Sequence, residues 1–338
     1  MVVRRSVVAL SLLTLGACGQ GFELSRSSGS WESYRGSYIR DDGRVADDGQ
    51  QGISHSEGQG YAMVLAEAAG DRATFDRVWN WARRNLQIRD DALLAWKWDP
   101  ETGSVIDENN ATDADLMVAW ALLRAARRWG ASGYQSEAWR LLDDIRSRLI
   151  IESFVGPVLL PGTSGFIHDG VATINLSYWV FPALTELARL DPEGPWAAVR
   201  SSGLKLIDSA QFGSDALPAD WLQLSDPPAP SPLFPPRFGF EALRIPLYAS
   251  WDGLNRYPGL ASLATFWEDN DKPPVWVNLD DGTWSARKFR PGAMTIRELL
   301  LAGDADAKDD KRNAASGNDY YDSTLLLLAN LAADEQND

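Results

Sequence analysis

The sequence predicts an all-α fold, with helices running up and down around one core as an α/α toroid. Three observations carry this. Apolar residues recur at helical period in segment after segment. Alternating, Val-rich strand patterns are scarce. The connections are rich in Gly, Pro, Asp and Asn, so they break helices without building sheets. A chain of 338 residues can bury one large core, and its length does not demand a second domain.

The elements follow in order. Arg4 and Arg5 precede an apolar stretch, Val7 to Leu15, and the small residues Gly16 and Ala17 lead to Cys18. The stretch is too short to span a bilayer and has the layout of a secretory signal. Residues 1–18 are therefore expected to be a signal peptide, and 19–338 one domain. Leu15-Gly16-Ala17-Cys18 also resembles a bacterial lipobox, in which the cysteine carries lipid. Ordinary cleavage nearby, without lipid, is the other reading.

Beyond it, Trp31, Tyr34 and Tyr38 are spaced as on a first helix. Helical period then marks 57–69, 72–86, 113–129, 134–150, 177–190, 195–210, 239–251, 257–268, 292–302 and 318–332. In 113–129, Leu116, Ala119, Trp120, Leu122, Leu123, Ala126 and Trp129 cover one broad face. A short hairpin is expected at 276–284, where Asp281-Gly282 gives a turn signal. Ser225 to Pro236 reads SDPPAPSPLFPP and cannot be helical; a surface loop is expected, since the same helical character resumes on both sides.

Composition narrows the function. A formal charge of −15 and the lack of a basic stripe argue against nucleic acid as a partner. Cys18 is the only cysteine, so no internal disulfide is available. With His55 and His168 the only histidines, a thiolate or histidine-cluster metal site is ruled out. No EF-hand spacing occurs, and a calcium site of scattered carboxylates stays open. No metal and no cofactor is expected. Most of the 15 Trp are expected to pack between helices, and so many in one chain also suit a groove that stacks indole faces on sugar rings.

Three stretches set acids among aromatics and small residues at helix starts: His55 to Tyr61, Asn109 to Asp115, and Arg237 to Arg244. Read plainly, Ser56 and Thr112 are N-caps, while Glu57, Asp113, Asp115 and Glu241 are first-turn acids favoured by the helix dipole. Gly58 and Gly60 beside Glu57, and Phe238 and Phe240 beside Glu241, do not suit solvated capping turns. Cleaving a glycosidic bond needs one protonated and one ionised carboxyl. The residues alone thus reach a candidate two-carboxylate enzyme. His55 is read either as a tuner of Glu57 or as a structural loop residue, and His168 has no assigned role.

At these residues the sequence resembles glycoside hydrolase family 8, and within it the β-1,4-glucanases of bacterial cellulose-synthesis operons. The motif S-E-G-Q-x-Y stands as Ser56-Glu57-Gly58-Gln59-Gly60-Tyr61, and the helix signature as Ala111-Thr112-Asp113-Ala114-Asp115 through Trp129, with Val118 in place of Ile or Met. The likeness continues through Ala95-Trp96-Lys97-Trp98, Asn175-Leu176-Ser177-Tyr178, Pro218-Ala219-Asp220-Trp221 and Asp319-Tyr320-Tyr321.

The resemblance implies an (α/α)6 barrel with an open, loop-built cleft, and hydrolysis of β-1,4 bonds with inversion. It makes Glu57 the general acid and Asp113 the aspartate that binds and distorts the sugar. Tyr178 corresponds to the tyrosine that helps hold the attacking water. Glu241 falls where many members carry the base Asp, and Arg244 matches the arginine of that motif. Gln59 and Tyr61, from the first motif, join the substrate side. Trp96, Trp98 and Trp221 are candidates for sugar stacking or for core packing. Two departures stand out: Phe240-Glu241 replaces Tyr-Asp, and Leu176 replaces Pro.

The expected partner is a β-1,4-glucan chain, with the cellulose synthase complex a further candidate and membrane contact only through a lipid at Cys18. Localisation is expected to be periplasmic, lipid-anchored or secreted. Xylan and chitosan are alternative substrates, while a glucan-binding protein without turnover and a polysaccharide lyase are alternative classes.

Overall fold

The computed structural model describes residues 28–302 and 319–336. The expected signal segment and Cys18 lie outside the described residues. Eleven α-helices are described: α1 (Ser28–Tyr38), α2 (Ser56–Ala68), α3 (Arg72–Asn85), α4 (Thr112–Trp129), α5 (Ser132–Arg148), α6 (Phe181–Leu190), α7 (Trp196–Ser209), α8 (Arg244–Trp251), α9 (Ala261–Glu268), α10 (Pro291–Leu301) and α11 (Tyr320–Gln336).

Their neighbours define the architecture. α2 packs on α4, α4 on α6, α6 on α8, α8 on α10, α10 on α11, and α11 back on α2, which closes an inner ring. α1, α3, α5, α7 and α9 lie outside, against α11, α2, α4, α6 and α10. This is the (α/α)6 barrel.

Burial follows the layers. α2, α4, α8 and α11 are buried around nearly their whole circumference, whereas α3 and α5 bury one face. Leu116 and Leu122 on α4 are fully buried, and truncating such a leucine to alanine costs about 2–5 kcal/mol. α4 also shows how the sequence bounds a helix. Asp113 and Asp115 meet the positive end of the dipole, Arg127 and Arg128 the negative end, and Gly130 takes the left-handed conformation (φ 63°) that ends it.

The two rims differ. Inner helices pass to outer ones through short turns at 69–71, 130–131, 191–195 and 252–260. Outer helices return to inner ones through long segments at 39–55, 86–111, 149–180, 210–243 and 269–290. The long segments therefore all gather where the inner helices have their N-termini, which sets the place of the cleft. The opposite rim is closed by ion pairs: Arg124 on α4 reaches Glu67 on α2 (2.6 Å) and Glu335 on α11 (2.5 Å), and Trp251 on α8 donates to Glu335 (2.8 Å).

The β content is larger than the sequence suggests. Two strands, β2 (Ala95–Asp99) and β3 (Ser104–Asn110), form a hairpin, and β1 (Ser54–His55) pairs with β2. Four short antiparallel strands lie in the order Ile167–His168, Val171–Ile174, Leu222–Gln223, Ala229–Pro230. The last shows that SDPPAPSPLFPP is a loop with one strand-like pairing, as its prolines require. The expected turn at 276–284 is present: Val277 bridges Trp284, with Gly282 at φ 70°, and Val277–Asn278 pairs with Arg237–Phe238.

One helix start is corrected. α8 begins at Arg244, not at Gly239, so Glu241 stands in a turn ahead of the helix rather than in its first turn. Asp220 causes this: its Oδ1 accepts from Gly239 N and Ala242 N (both 2.9 Å) and its Oδ2 from Arg237 Nε (3.0 Å). That bonding pulls the segment into a turn. Asp220 Oδ2 sits where a side chain at 239 would begin, 2.8 Å from a Cβ there, so only glycine fits without displacing it.

Candidate active site

The cleft at the N-terminal rim encloses a cavity of about 450 Å³, with Glu57, Tyr61, Trp96, Phe240, Glu241 and Arg244 in its wall. Its centre is Arg244, the first residue of α8 and almost fully buried. Arg244 Nη1 donates to Asp113 Oδ2 (2.8 Å) and to Tyr61 Oη (2.7 Å), and Nη2 pairs with Glu241 Oε2. One guanidinium therefore joins α2, α4, α8 and the turn before α8. Its fork geometry allows this, where a lysine would offer one point charge.

Glu57, in the first turn of α2, is placed differently. It is half-buried, and its Oε2 is sealed from solvent with no hydrogen-bond partner among the described residues. Burial pushes its carboxyl above the usual range, Arg244 pulls the other way, and the charge of Glu241 adds to the rise. The dipole of α2 favours the charged form, and burial works against it. Burial also pushes Asp113 up, to about 8, against the pull of Arg244 and with help from Glu57 and Glu241.

Gly58 and Gly60 have a packing cause. A Cβ at Gly58 would lie 2.6 Å from the Tyr320 hydroxyl, and one at Gly60 3.2 Å from Met117 on α4. These glycines let α2 approach α4 and α11 closely enough to set Glu57 where Asp113 feels its charge. The capping expectation is corrected: His55 and Ala111 occupy the capping positions, without side-chain caps. Thr112 Oγ1 instead donates to Leu160 O (2.6 Å), and Ser56 Oγ has no partner among the described residues.

Tyr178 lies in a 3₁₀ turn, Leu176–Tyr178, with its ring 5.9 Å from the Arg244 guanidinium carbon. Tyr61, besides meeting Arg244, accepts from Tyr248 Oη (3.4 Å). Trp96 reaches the cleft, stacked on His55 (5.6 Å, 16°) with Lys97 Nζ 5.1 Å from the ring centre. His55 thus supports Trp96 and is not among the groups that shift Glu57. Trp221 stacks on Phe234 (4.3 Å) and Phe166 (5.9 Å) and tilts against Tyr178 (6.1 Å), which makes it a neighbour of the centre.

Two expected substrate residues are not brought to the cleft. Gln59 is fully buried, and its Oε1 accepts from Val45 N (3.3 Å), tying the 39–55 segment to α2. Trp98 packs edge-on to Trp81 (5.4 Å) beneath the Arg44 guanidinium (5.0 Å). His168 is exposed and meets only Gly165 O (2.9 Å) among the described residues. No group of three or more His, Cys, Asp or Glu side chains converges as metal ligands among the described residues.

The structure adds contacts for three residues that the sequence places in its motifs without giving them a part in the site. Asn175 Nδ2 donates to Glu241 Oε2 (3.0 Å). Asp115, buried, accepts from Leu94 N and Asn110 Nδ2 (both 2.9 Å) and so holds the β2–β3 hairpin on α4. Tyr321 Oη donates to Phe240 O (2.8 Å) and steadies the Glu241 turn from α11. Polar residues inside apolar stretches, such as Asn175 in Ala172 to Tyr178, were the available signal.

The barrel rim thus holds an acid whose Oε2 is sealed and unpartnered together with an arginine-paired carboxylate, the two kinds of carboxyl that glycoside hydrolysis uses. The chain belongs to glycosyl hydrolases family 8, whose family model matches residues 3–335. It is 36% identical over 315 residues to a probable endoglucanase of Novacetimonas hansenii, covering 90% of each chain. It is 32% identical over 278 residues to an endoglucanase of Cellulomonas uda, covering 80% of this chain and 77% of that one. Among solved structures, it is similar to the endo-β-1,4-glucanase CMCax from Acetobacter xylinum, with TM-score 0.85, 35% identity, and 92% and 98% of the two chains covered.

Proposed function

We propose that the chain is an endo-acting β-1,4-glucanase that inverts at the anomeric carbon, with Glu57 as acid and Glu241 as base. One observation carries the assignment: Arg244 ties Asp113 and Glu241 together, while the buried Oε2 of Glu57 has no partner and its carboxyl is pushed up. Two carboxyls whose surroundings differ in this way divide the roles of proton donor and proton acceptor. Glu57 donates its proton to the leaving glycosidic oxygen. A water held between Glu241 and the opposite face of the sugar loses its proton to Glu241 as its oxygen attacks the anomeric carbon.

Tyr178, whose hydroxyl makes no hydrogen bond among the described residues, helps hold that water. Asp113 binds the sugar at the cleavage subsite. The names of the relatives support β-1,4-glucan as substrate. The charged and apolar layout of residues 4–18 supports export to the periplasm, with or without lipid at Cys18, and the motifs shared with the β-1,4-glucanases of bacterial cellulose-synthesis operons support a role beside a cellulose synthase complex.

The test compares wild type, Glu57→Gln and Glu241→Gln on carboxymethylcellulose, xylan and chitosan, with product anomers followed by NMR. Inverted product from carboxymethylcellulose, lost in both variants, is expected. Retained configuration, an active Glu241→Gln, or a wild type that cleaves only xylan or chitosan would each refute part of the reading.

A further inference from the structure

Asn175 is fully buried and its side chain is used at both ends. Its Oδ1 accepts from Ser177 N (2.9 Å) and Ser177 Oγ (2.7 Å), so the oxygen end of the amide is fixed. Its Nδ2 therefore has to face Glu241, where it donates to Oε2 (3.0 Å). The same oxygen takes Arg244 Nη2. Among the described residues nothing donates to Glu241 Oε1, and the Glu241 side chain keeps 34% of its surface exposed. One oxygen is thus held by two donors and the other is left toward the cleft.

The backbone completes the device. Asn175 accepts from Tyr178 N (3.0 Å) and begins the 3₁₀ turn that carries Tyr178. A single buried side chain fixes both the turn that aims Tyr178 and the carboxylate of Glu241.

We infer that Asn175 is a positioning residue. It clamps Glu241 Oε2 so that Oε1 meets the nucleophilic water, and it sets Tyr178 beside that water. This rests on Glu241 being the base. It also addresses the longer side chain at 241: a glutamate has one more rotatable bond than an aspartate, and donors on a single oxygen remove that freedom.

The groups facing Glu241 are Arg244 and Asn175 by contact, with Glu57, Asp113, Asp220, Tyr178 and Tyr321 near enough to feel its charge. An aspartate at 175 keeps the two bonds to Ser177, since Asp serves this turn as well as Asn. It replaces only the donor to Glu241, with a like charge.

The test measures kcat, KM and the pH profile of kcat/KM on a soluble cello-oligosaccharide for Asn175→Asp, Asn175→Ala and Glu241→Gln. Asn175→Asp is expected to lose about ten- to a hundredfold in kcat with KM within about twofold. Its acidic limb is expected to move to higher pH, because protonating the pair relieves the repulsion. Asn175→Ala should lose kcat with a smaller displacement of that limb. If Asn175→Asp keeps the wild-type kcat and profile while Glu241→Gln is inactive, Asn175 serves only the turn and the inference fails, though the base assignment stands. If Glu241→Gln stays active, the base assignment fails and the inference with it.

Discussion

At the scale of the residue, the site works by unequal company. Arg244 spends its donors on Asp113, Tyr61 and Glu241, and Glu57 is left to burial. A proton held by burial is available to a leaving group, so losing Glu57 should matter only where the leaving group needs a proton. Glu57→Gln is expected to cost about 10²–10⁴-fold in kcat on cello-oligosaccharides. The same variant should lose far less on an aryl cellobioside with an acidic phenol as leaving group, and the alkaline limb of its pH profile should vanish. Equal losses on both substrates would show that Glu57 is structural. The apolar, glycine-bearing surroundings of Glu57 and Glu241 already set these two acids apart from solvated capping residues, and the family resemblance added Asp113, Tyr178 and Arg244. The sequence could not separate Gln59 from Tyr61 or Trp98 from Trp96. Neighbours in one motif face opposite ways, one into the core and one into the cleft, and that depends on partners such as Val45 and Trp81 that lie far along the chain.

At the scale of the element, α2, α4 and α8 deliver their chemistry at their N-termini, and the long segments that enter those helices aim it. The helices were legible because their periodic faces are strong. The β2–β3 hairpin was not, since its strand 104–110 reads Ser-Val-Ile-Asp-Glu-Asn-Asn and carries little apolar alternation. What holds the hairpin is tertiary: Asp115 on α4 accepts from Leu94 N and Asn110 Nδ2, and Asn110 Oδ1 in turn accepts from Thr163 N (2.8 Å). The false start of α8 has a like cause, because Asp220 captures the amides of Gly239 and Ala242 that would have opened a helix. Asp115→Ala leaves two buried donors without an acceptor and should destabilise the fold by about 2–5 kcal/mol in denaturant unfolding. Amide exchange should speed up first across 92–110, where Trp96 is carried. A variant as stable as wild type, with unchanged exchange there, would mean that the hairpin stands without this lock.

At the scale of the whole molecule, the burial that arms the site also sets how stability depends on pH. Burial pushes Asp113 up to about 8 despite Arg244, and Asp115 up to about 8 despite its two amide donors. In the unfolded chain both titrate near 3.9. Between about pH 4 and 8 the folded state therefore binds more protons than the unfolded one, and stability falls as pH rises through that window. Asp71 and Asp91 act in the opposite sense. Although burial raises them, Thr74, Trp31 and Arg35 hold Asp71 below its ordinary value, and Arg89, Leu93 and Arg148 do the same for Asp91. Their contribution is present above the unfolded value and is lost on the acid side. The formal charge of −15 adds self-repulsion toward high pH. The thermal midpoint should therefore peak in the mildly acidic range and decline toward pH 8. Asp113→Asn and Asp115→Asn, whatever their absolute stability, should each flatten that decline, because each removes a proton that folding holds. A wild-type midpoint that climbs steadily from pH 5 to 8, or a slope that neither variant changes, would show that these carboxyls are ionised in the fold. Arg244 and the amide donors would then outweigh burial at the rim, and Glu57 would have to draw its proton from some other feature of the cleft.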